Sequence, residues 1–325
     1  MFPIYDMPYY FLKRDELESF FDTLTKKFEV IAPVKRRGIH DFYTVNSLDE
    51  VDLNFKNTTY PPKRYFLPNS EILFKFHEDR IRTVIDSKKR LIFGIRPCDI
   101  NALLVLDRIF LDEIKDPYYR ARRENTILVA LNCKKECENG FCISVGSNKI
   151  KDGFDLLLTE DENGFIVEVG STIGKRLVTG LKRTDKKPSV KIFKKRLLSD
   201  KKSEKLASSL KHNIIDKESK KCLSCCSCTI SCPTCGCFDI RDIPELTLKD
   251  GTRYRRWTSC MIKAFTKVAG GFSFRDQREK RFRHFFHHKL NYFKKQHSVT
   301  MCVGCGRCIS NCPAGISIYK IMKKI

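Results

Sequence analysis

The 325-residue sequence has no apolar run that approaches the roughly 18 residues needed to cross a bilayer. Its first residues, MFPIYDMPYYFLKRDELESFF, lack the basic, apolar and small-residue order of a secretory signal. Glycine-rich nucleotide-binding motifs are absent as well. We therefore expect a cytoplasmic chain without an integral membrane span.

Cysteine, in contrast, is abundant. Sixteen cysteines in a chain without a secretory signal argue against a disulfide framework, because cytosolic thiols are kept reduced. Dense cysteine in such a chain usually indicates metal binding. Twelve of the sixteen lie in the C-terminal third of the sequence.

Two cysteine runs carry the strongest signal. They comprise Cys222, Cys225, Cys228 and Cys232 in the first run, and Cys302, Cys305, Cys308 and Cys312 in the second. Each follows the spacing C-x2-C-x2-C-x3-C-P, which is the bacterial pattern for binding [4Fe–4S] clusters. Zinc also binds C-x2-C pairs, but the third and fourth cysteines of each run are superfluous to it.

The fourth cysteine of each run is expected to bind the cluster of the other run, an arrangement called the crossover below. In two-cluster ferredoxins that cysteine ligates the cluster of the other run. We therefore assign Cys312 to the cluster of the first run and Cys232 to the cluster of the second. Gly304 and Gly306 would let the backbone fold tightly around the second cluster and direct N–H groups at its sulfurs.

The N-terminal part, residues 1–200, is predicted to be an α/β domain. Apolar runs bounded by charges or turn residues predict strands over Arg90–Ile95, Thr126–Leu131, Phe154–Thr159 and Gly164–Val169. Helical apolar spacing predicts helices over Asp15–Phe28 and Asp99–Phe110, with Asp99 as the N-cap of the second.

Residues 201–325 are predicted to form a helical ferredoxin-like domain with two [4Fe–4S] clusters. Its first segment, 201–212, has helical propensity within a lysine-rich stretch. The two cysteine runs are separated by a long insert, in which Ser259–Val268 and Arg275–Lys295 have helix-like spacing. A compact ferredoxin has a much shorter insert, so the helical type is favoured.

Four cysteines of the N-terminal part form a further candidate site. They are Cys98, Cys133, Cys137 and Cys142, and the first two follow predicted neighbouring strands. Ligands converge at such strand ends in an α/β sheet, so we predict a third [4Fe–4S] cluster there. The helix N-terminus and Arg96 should favour the thiolate of Cys98. A zinc site and a set of unligated thiols are the alternatives.

The remaining cysteines do not settle the number of clusters. They are Cys226, Cys235, Cys237 and Cys260. The tight spacing of Cys235-Gly236-Cys237 is typical of metal ligands, whereas buried thiols that only pack are the alternative. The sequence therefore predicts at least two [4Fe–4S] clusters, with sites for a third and a fourth.

Several blocks of sequence resemble one family. FGIRPCDINALLVLDRIF, DPYYRARRENTILVALNC, CPTCGCFDI, RRWTSC and CVGCGRCISNCP occur in this order. Together they resemble the beta subunit of cytoplasmic sulfhydrogenases and the corresponding iron–sulfur subunit of anaerobic sulfite reductases. Where those relatives often read T-C-F-C, this chain has Asn139-Gly140-Phe141-Cys142, so the N-terminal cysteine set, with Cys137 as the substitute ligand, departs from the family pattern.

The resemblance implies a partnership rather than an isolated enzyme. It implies an iron–sulfur subunit that relays electrons from a flavoprotein subunit oxidising NAD(P)H to a catalytic metal subunit, a hydrogenase or a sulfite reductase. It implies no active site in this chain. An enzyme that uses the N-terminal cysteine site as its reactive centre is the rival hypothesis.

Basic residues outnumber acidic ones, 62 to 39, for a net charge of +23. Two clusters at about −2 each would leave the chain basic. This balance is the basis of another alternative, an iron–sulfur sensor or nucleic-acid-binding protein. A solvated lysine-rich surface explains the same charge, so we expect no DNA partner.

Overall fold

The computed structural model describes residues 8–191, 193, 213–246 and 249–325. Its strands are β1 Tyr9–Lys13, β2 Glu29–Arg36, β3 Ile39–Thr44, β4 Ser70–His77, β5 Arg80–Thr83, β6 Arg90–Ile95, β7 Thr126–Leu131, β8 Leu156–Asp161, β9 Gly164–Val169, β10 Lys182–Thr184, β11 Phe238–Pro244 and β12 Asp250–Trp257. The segment 201–212, predicted to be helical, lies outside the described residues.

The helices are short apart from one of 14 residues, α2. They are α1 Leu17–Thr25, α2 Pro97–Phe110, α3 Pro117–Glu124, α4 Thr172–Leu177, α5 Asn213–Ser219, α6 Ser227–Ile230, α7 Arg278–His287, α8 Phe293–His297, α9 Arg307–Ser310 and α10 Ile318–Lys324. No helix in the described ranges is long and apolar enough to cross a membrane.

The larger sheet has eight strands in the order β10-β1-β9-β8-β7-β6-β2-β3. Its central strands β2, β6, β7 and β8 are parallel to one another. The outer pairs are antiparallel, so the sheet is mixed. Every residue of β7 is buried, as expected for a parallel strand covered on both faces. The predicted strands at β6, β7, β8 and β9 are confirmed, with β8 displaced by two residues.

Alternate residues of the central strands face two different cores, because side chains alternate between the faces of a strand. Phe93 of β6 packs edge-on against Phe21 of α1, with 5.2 Å between ring centroids. Ile92 of β6 lies in the opposite core with residues of α2 and α3. There, Phe110 and Tyr119 stack at 5.2 Å.

The predicted N-cap of α2 is wrong. The helix begins at Pro97, two residues earlier than Asp99, and Arg96 occupies the N-cap position. Proline suits the first helical position because its fixed φ fits the helix and its missing N–H would have no partner there. Asp99 instead lies in the first turn, only 1% exposed.

The smaller sheet joins residues from both sides of the predicted domain boundary. Its order is β11-β12-β4-β5, with every pair antiparallel. Arg255 of β12 is buried against Glu71 of β4, and its Nε donates to the Glu71 carboxylate at 2.5 Å. The C-terminal part therefore contains two strands as well as helices, and one of them, β12, pairs with β4 of the N-terminal part.

The insert between the cysteine runs is only partly helical. Helix α7 and the π-helical turn His288–Tyr292 confirm helical structure within Arg275–Lys295. The helix predicted over Ser259–Val268 is wrong, since only a 3-10 turn forms at Lys263–Thr266. Ile262 and Phe265 are 40% and 37% exposed. Without a buried apolar face, a short helix has little to stabilise it.

The C-terminal core reaches into the N-terminal part. Phe282, Phe285 and Phe286 of α7 pack in one apolar cluster with Phe141. The Phe141 ring lies 5.7 Å from that of Tyr319 in α10. Since Phe141 belongs to the loop that carries Cys137 and Cys142, this contact fixes the N-terminal cysteine loop on the ferredoxin part.

Candidate iron–sulfur centres

The first cavity gathers cysteines from both ferredoxin runs. It is lined by Cys222, Cys225, Cys228 and Cys312, with Cys226 and Cys308 also at its wall. Met261, Phe282 and Phe285 add apolar side chains to its lining. The structure thus places Cys312 beside the first three cysteines of the other run.

The thiols at this first cavity differ in their surroundings. Cys225 is exposed, and its hydrogen bond with Ser227 lowers the pKa of its thiol. Burial, followed by the charge of Cys222, raises the pKa of Cys228 to about 12. The backbone N–H of Ser224 donates to the Cys222 sulfur at 3.4 Å. N–H donors of this kind stabilise a ligating thiolate.

Cys232 lies near enough to the cysteines of the second run for its charge to raise the pKa of each of the first three. Burial, followed by the nearby Cys302, Cys305 and Cys232, raises the pKa of Cys308 well above its usual value. The backbone N–H of Gly304 donates to the Cys302 sulfur at 3.4 Å. This contact is the equivalent of the one to Cys222 in the first run. The backbone N–H of Gly304 is therefore directed at the sulfur of a predicted cluster ligand.

The glycines of the second run have a further role that the sequence did not reveal. Gly304 and Gly306 have positive φ values of +60° and +81°. A Cβ on Gly304 would lie 2.7 Å from backbone atoms of Phe141. One on Gly306 would lie 2.4 Å from the backbone of Asn139. Only glycine therefore lets the N-terminal cysteine loop pack this closely on the second run.

The four N-terminal cysteines line one cavity at the end of the larger sheet. These are Cys98, Cys133, Cys137 and Cys142, and Cys305 of the second run lines the same cavity. Cys98 follows β6 and Cys133 follows β7, which are neighbouring parallel strands. The structure thus brings the predicted set together at one sheet edge.

The thiolate of Cys98 is not favoured as predicted. Burial, followed by the carboxylate of Asp99, raises the pKa of Cys98 well above its usual value. Arg96 donates from Nη1 to the carbonyl oxygen of Asn132 at 3.0 Å, and so orders the strand end. Burial also raises the pKa of Cys137 to about 12 and that of Cys142 to about 11. Binding a metal centre at these cysteines would therefore require their thiols to release protons.

The other four cysteines separate into two places. Cys226 lies at the first cavity, where its sulfur donates to the carbonyl oxygen of Ser224 at 3.4 Å. Cys235 hydrogen-bonds with Cys232, and Cys237 with Cys260. The hydrogen bond with Cys260 lowers the pKa of Cys237 to about 6. Cys226 is therefore not part of the remaining thiol group.

None of these groups has the compact geometry of a single-ion site. Across residues 8–191, 193, 213–246 and 249–325, no three His, Cys, Asp or Glu side chains converge to hold one metal ion. This applies equally to the two ferredoxin runs. The iron–sulfur interpretation rests on the spacing of the cysteines and on the way the fold groups them.

Comparison with known proteins agrees with this interpretation. The family model for the 4Fe-4S dicluster domain matches residues 221–316. The chain is 34% identical over 334 aligned residues to the sulfhydrogenase 2 subunit beta of Pyrococcus furiosus, and the alignment covers 98% of each chain. The chain belongs to the sulfhydrogenase beta-subunit family. No solved structure matches it.

Membership in the sulfhydrogenase beta-subunit family makes the chain an iron–sulfur electron-transfer subunit. Its dicluster domain covers both ferredoxin runs, so [4Fe–4S] clusters are its cofactors. The relative is by name one subunit of a larger enzyme.

Three charged residues that no motif singled out lie among the cysteines of this family member. Arg307, 2% exposed, pairs through Nη1 with the Asp99 carboxylate at 2.6 Å. Lys63 and Lys289, 2% and 3% exposed, lie beside Cys232 and Cys235. Nothing in a basic sequence distinguishes a buried lysine or arginine from the many exposed ones. The sequence therefore did not indicate that these three side chains are buried.

Proposed function

We propose that this chain is a cytoplasmic electron relay within a hydrogenase complex. It takes electrons from a flavoprotein subunit that oxidises NAD(P)H and passes them to a catalytic subunit. It performs no substrate chemistry of its own. The observation that carries the proposal is that the cysteine groups adjoin one another, so that clusters bound in them would form a continuous path.

The first two clusters would be shared between the runs. Cluster I is assigned to Cys222, Cys225, Cys228 and Cys312, and cluster II to Cys302, Cys305, Cys308 and Cys232. The cavity that holds the first set, and the mutual effect of the second set on the pKa of Cys308, support this crossover. Each cluster would then join the two ends of the ferredoxin part.

A third cluster is assigned to the N-terminal set, Cys98, Cys133, Cys137 and Cys142. Cys305 lines that cavity, and Cys98 packs in one apolar group with Cys142, Val303 and Cys305. Cys308 lines the cavity of cluster I. Cluster II would therefore lie between the other two, and electrons would pass from one end to the other through it.

The identity of the relative favours a hydrogenase as the terminal partner. The aligned protein is named a sulfhydrogenase subunit, and the alignment spans nearly the whole of both chains. A sulfite reductase complex is the alternative partner. Purification from the native cell separates the two, because the catalytic subunit that accompanies the chain carries either hydrogenase or sulfite-reducing activity.

Anaerobically purified chain is expected to contain about 8 iron and 8 sulfide for the ferredoxin pair, and about 12 of each with the N-terminal cluster. Reduction with dithionite should produce EPR signals of [4Fe–4S]⁺ centres that interact magnetically, because clusters bound at adjoining cysteine groups would lie close together. Iron, acid-labile sulfide and zinc analysis with EPR checks this. Negligible iron together with stoichiometric zinc would overturn the proposal.

The N-terminal site is tested by the variant Cys133→Ser, because Cys133 lines that cavity and not the cavity of cluster I. We expect a loss of about 4 iron and 4 sulfide per chain, with the signals of the ferredoxin pair retained. Cys226→Ser is the matched control, since it removes a thiol that no cluster is assigned to use. Unchanged iron in Cys133→Ser would contradict a third cluster, and a loss of zinc instead would indicate a zinc site.

A further inference from the structure

A buried lysine contacts the sulfur of a predicted cluster ligand. Lys289 is 3% exposed, and its Nζ donates to the Cys232 sulfur at 3.1 Å and to the Thr234 hydroxyl at 3.3 Å. Thr234 is fully buried, and its hydroxyl lies 3.2 Å from the same sulfur. A ligating thiolate carries no proton, so this hydroxyl would donate to it as well. The Cys232 sulfur thus has two side-chain donors, and one of them is an ammonium group.

The fold fixes Lys289 between the two cysteine runs. It lies in the π-helical turn His288–Tyr292, a type of turn that is frequent at functional sites. Its carbonyl oxygen accepts from the backbone N–H of Met301 at 2.9 Å, directly before Cys302. Its Nζ lies 5.6 Å from the centre of the Phe285 ring. Lys289 therefore joins the last cysteine of the first run to the start of the second run.

The ammonium group of Lys289 has the Cys232 sulfur as its negative partner. Among the residues that the structure describes, its Nζ contacts this sulfur and the Thr234 hydroxyl, and it forms no ion pair with a carboxylate. Burying a cation without a counter-charge is expensive, because the low-dielectric interior cannot replace its hydration. A thiolate that ligates an anionic cluster supplies that counter-charge.

The corresponding cysteine of the second run has a weaker donor. Cys312 accepts from the backbone N–H of Ile316 at 3.4 Å, which is a neutral group at a longer distance. Hydrogen bonds from a charged donor are roughly twice as strong as those between neutral groups. The first cysteines of the two runs, Cys222 and Cys302, each accept a backbone N–H at 3.4 Å. The contact to Cys232 therefore breaks the equivalence of the two runs.

We propose that Lys289 is a positioning residue that raises the reduction potential of cluster II through its hydrogen bond to the Cys232 sulfur. A [4Fe–4S] core with four thiolates carries a charge of about −2, and one electron from the flavoprotein subunit would bring it to about −3. A fixed ammonium group stabilises the more negative form more strongly, and burial strengthens that effect. The inference rests on the proposed relay and on the crossover assignment of Cys232.

A raised potential would matter at this place in the relay. Cluster II would lie between the other two clusters, so every electron that crosses the chain would pass through it. A higher potential favours its reduced form and lowers the driving force for onward transfer. Lys289 would thus hold an electron at the middle of the path.

A second buried lysine lies nearby but makes different contacts. Lys63 Nζ donates to the carbonyl oxygens of Cys235 at 2.8 Å and Thr229 at 3.4 Å. It also lies 4.3 Å from the centre of the Trp257 ring. Its charge would add to the field at the cluster, but its N–H donors are directed at oxygen. We therefore assign the larger effect to Lys289.

The test is an anaerobic redox titration, followed by EPR, of the full-length chain and its variants. The couple of cluster II is identified by its absence in Cys232→Ser. In Lys289→Met, with the iron content retained, we expect the ratio of reduced to oxidised cluster II at a fixed potential to fall at least about tenfold. For a one-electron couple this is a downward shift of about 59 mV. Thr234→Val should shift the same couple in the same direction by less.

Three further variants separate the hydrogen bond from charge and packing. Lys289→Arg keeps a charged donor, so it should return the potential towards the wild-type value. Lys63→Met removes a buried ammonium group that donates to carbonyls, so it should shift cluster II less than Lys289→Met does. Lys295→Met removes an exposed charge from α8 and should leave the potential unchanged, because solvent screens it.

An unchanged potential of cluster II in Lys289→Met would overturn the inference while leaving the relay intact. So would an equal shift of clusters I and II, or a shift in Lys63→Met as large as that in Lys289→Met. A wild-type chain labelled with ¹⁵N-lysine needs no variant, since its reduced form should show a lysine nitrogen coupled to a cluster by ENDOR. No such coupling would also overturn the inference, whereas a chain without iron would overturn the proposed function itself.

Discussion

Replacing Cys232 with serine is expected to remove the cluster held by Cys302, Cys305 and Cys308, not the cluster of its own run. The reason is the crossover, because Cys232 lies among the cysteines that are 70 or more positions later in the chain. We expect a loss of about 4 iron per chain and the loss of electron transfer between the two ends of the relay. Iron analysis and EPR of the reduced protein measure the first effect.

The crossover is checked by comparing the EPR spectra of three cysteine variants. Cys232→Ser should reproduce the EPR spectrum of Cys305→Ser and differ from that of Cys225→Ser. Magnetic interaction between the remaining centres should weaken in Cys232→Ser, because cluster II is proposed to lie between the others. Cys226→Ser, which removes an unassigned thiol at the wall of the first cavity, should keep the wild-type iron content. A Cys232→Ser spectrum that matches Cys225→Ser would show that each run holds its own cluster.

Much of the fold and most of the site were predictable because their signals are local in sequence. The C-x2-C-x2-C-x3-C-P spacing is dictated by the shape of the cubane, so it can be read without knowing the fold. Strands such as Thr126–Leu131 are continuous apolar runs because both of their faces are covered. Once those strands are parallel neighbours, the cysteines that follow them must lie at one edge.

The parts that could not be predicted depend on contacts distant in sequence. Strand β12 pairs with β4 although the two lie in different predicted domains. Gly304 and Gly306 are required as much by the loop at Asn139–Phe141 as by the cluster itself. In each case the partner lies more than a hundred residues away in the sequence.

Asp99 shows how a local signal can mislead. Its position just after a predicted strand and before an apolar periodic segment is typical of an N-cap. Pro97 allows the helix to begin earlier, so the carboxylate is available for another partner. That partner is Arg307, which directly follows the Cys305-Gly306 turn of the second ferredoxin run. The ion pair therefore joins the two parts of the chain between the N-terminal site and cluster II.

Replacing Asp99 with alanine is expected to reduce the free energy of unfolding by about 3–5 kcal/mol, because it removes the carboxylate that pairs with the buried guanidinium of Arg307. The pair is bidentate, with 2.6 Å from Nη1 and 2.8 Å from Nη2 to the two carboxylate oxygens. Nε of Arg307 also donates to the carbonyl oxygen of Thr58 at 2.8 Å. Anaerobic denaturant unfolding of the cluster-loaded chain measures the change.

The matched control is Glu124→Ala, which breaks the exposed pair between Arg120 and Glu124 within α3. It should change the free energy of unfolding by no more than about 0.5 kcal/mol. The double variant Asp99→Ala with Arg307→Met should recover part of the loss, because it removes the stranded charge together with its partner. If Asp99→Ala is no more destabilising than Glu124→Ala, the pair does not hold the two parts together. If the double variant is as unstable as the sum of its single variants, the loss arises from packing instead of charge.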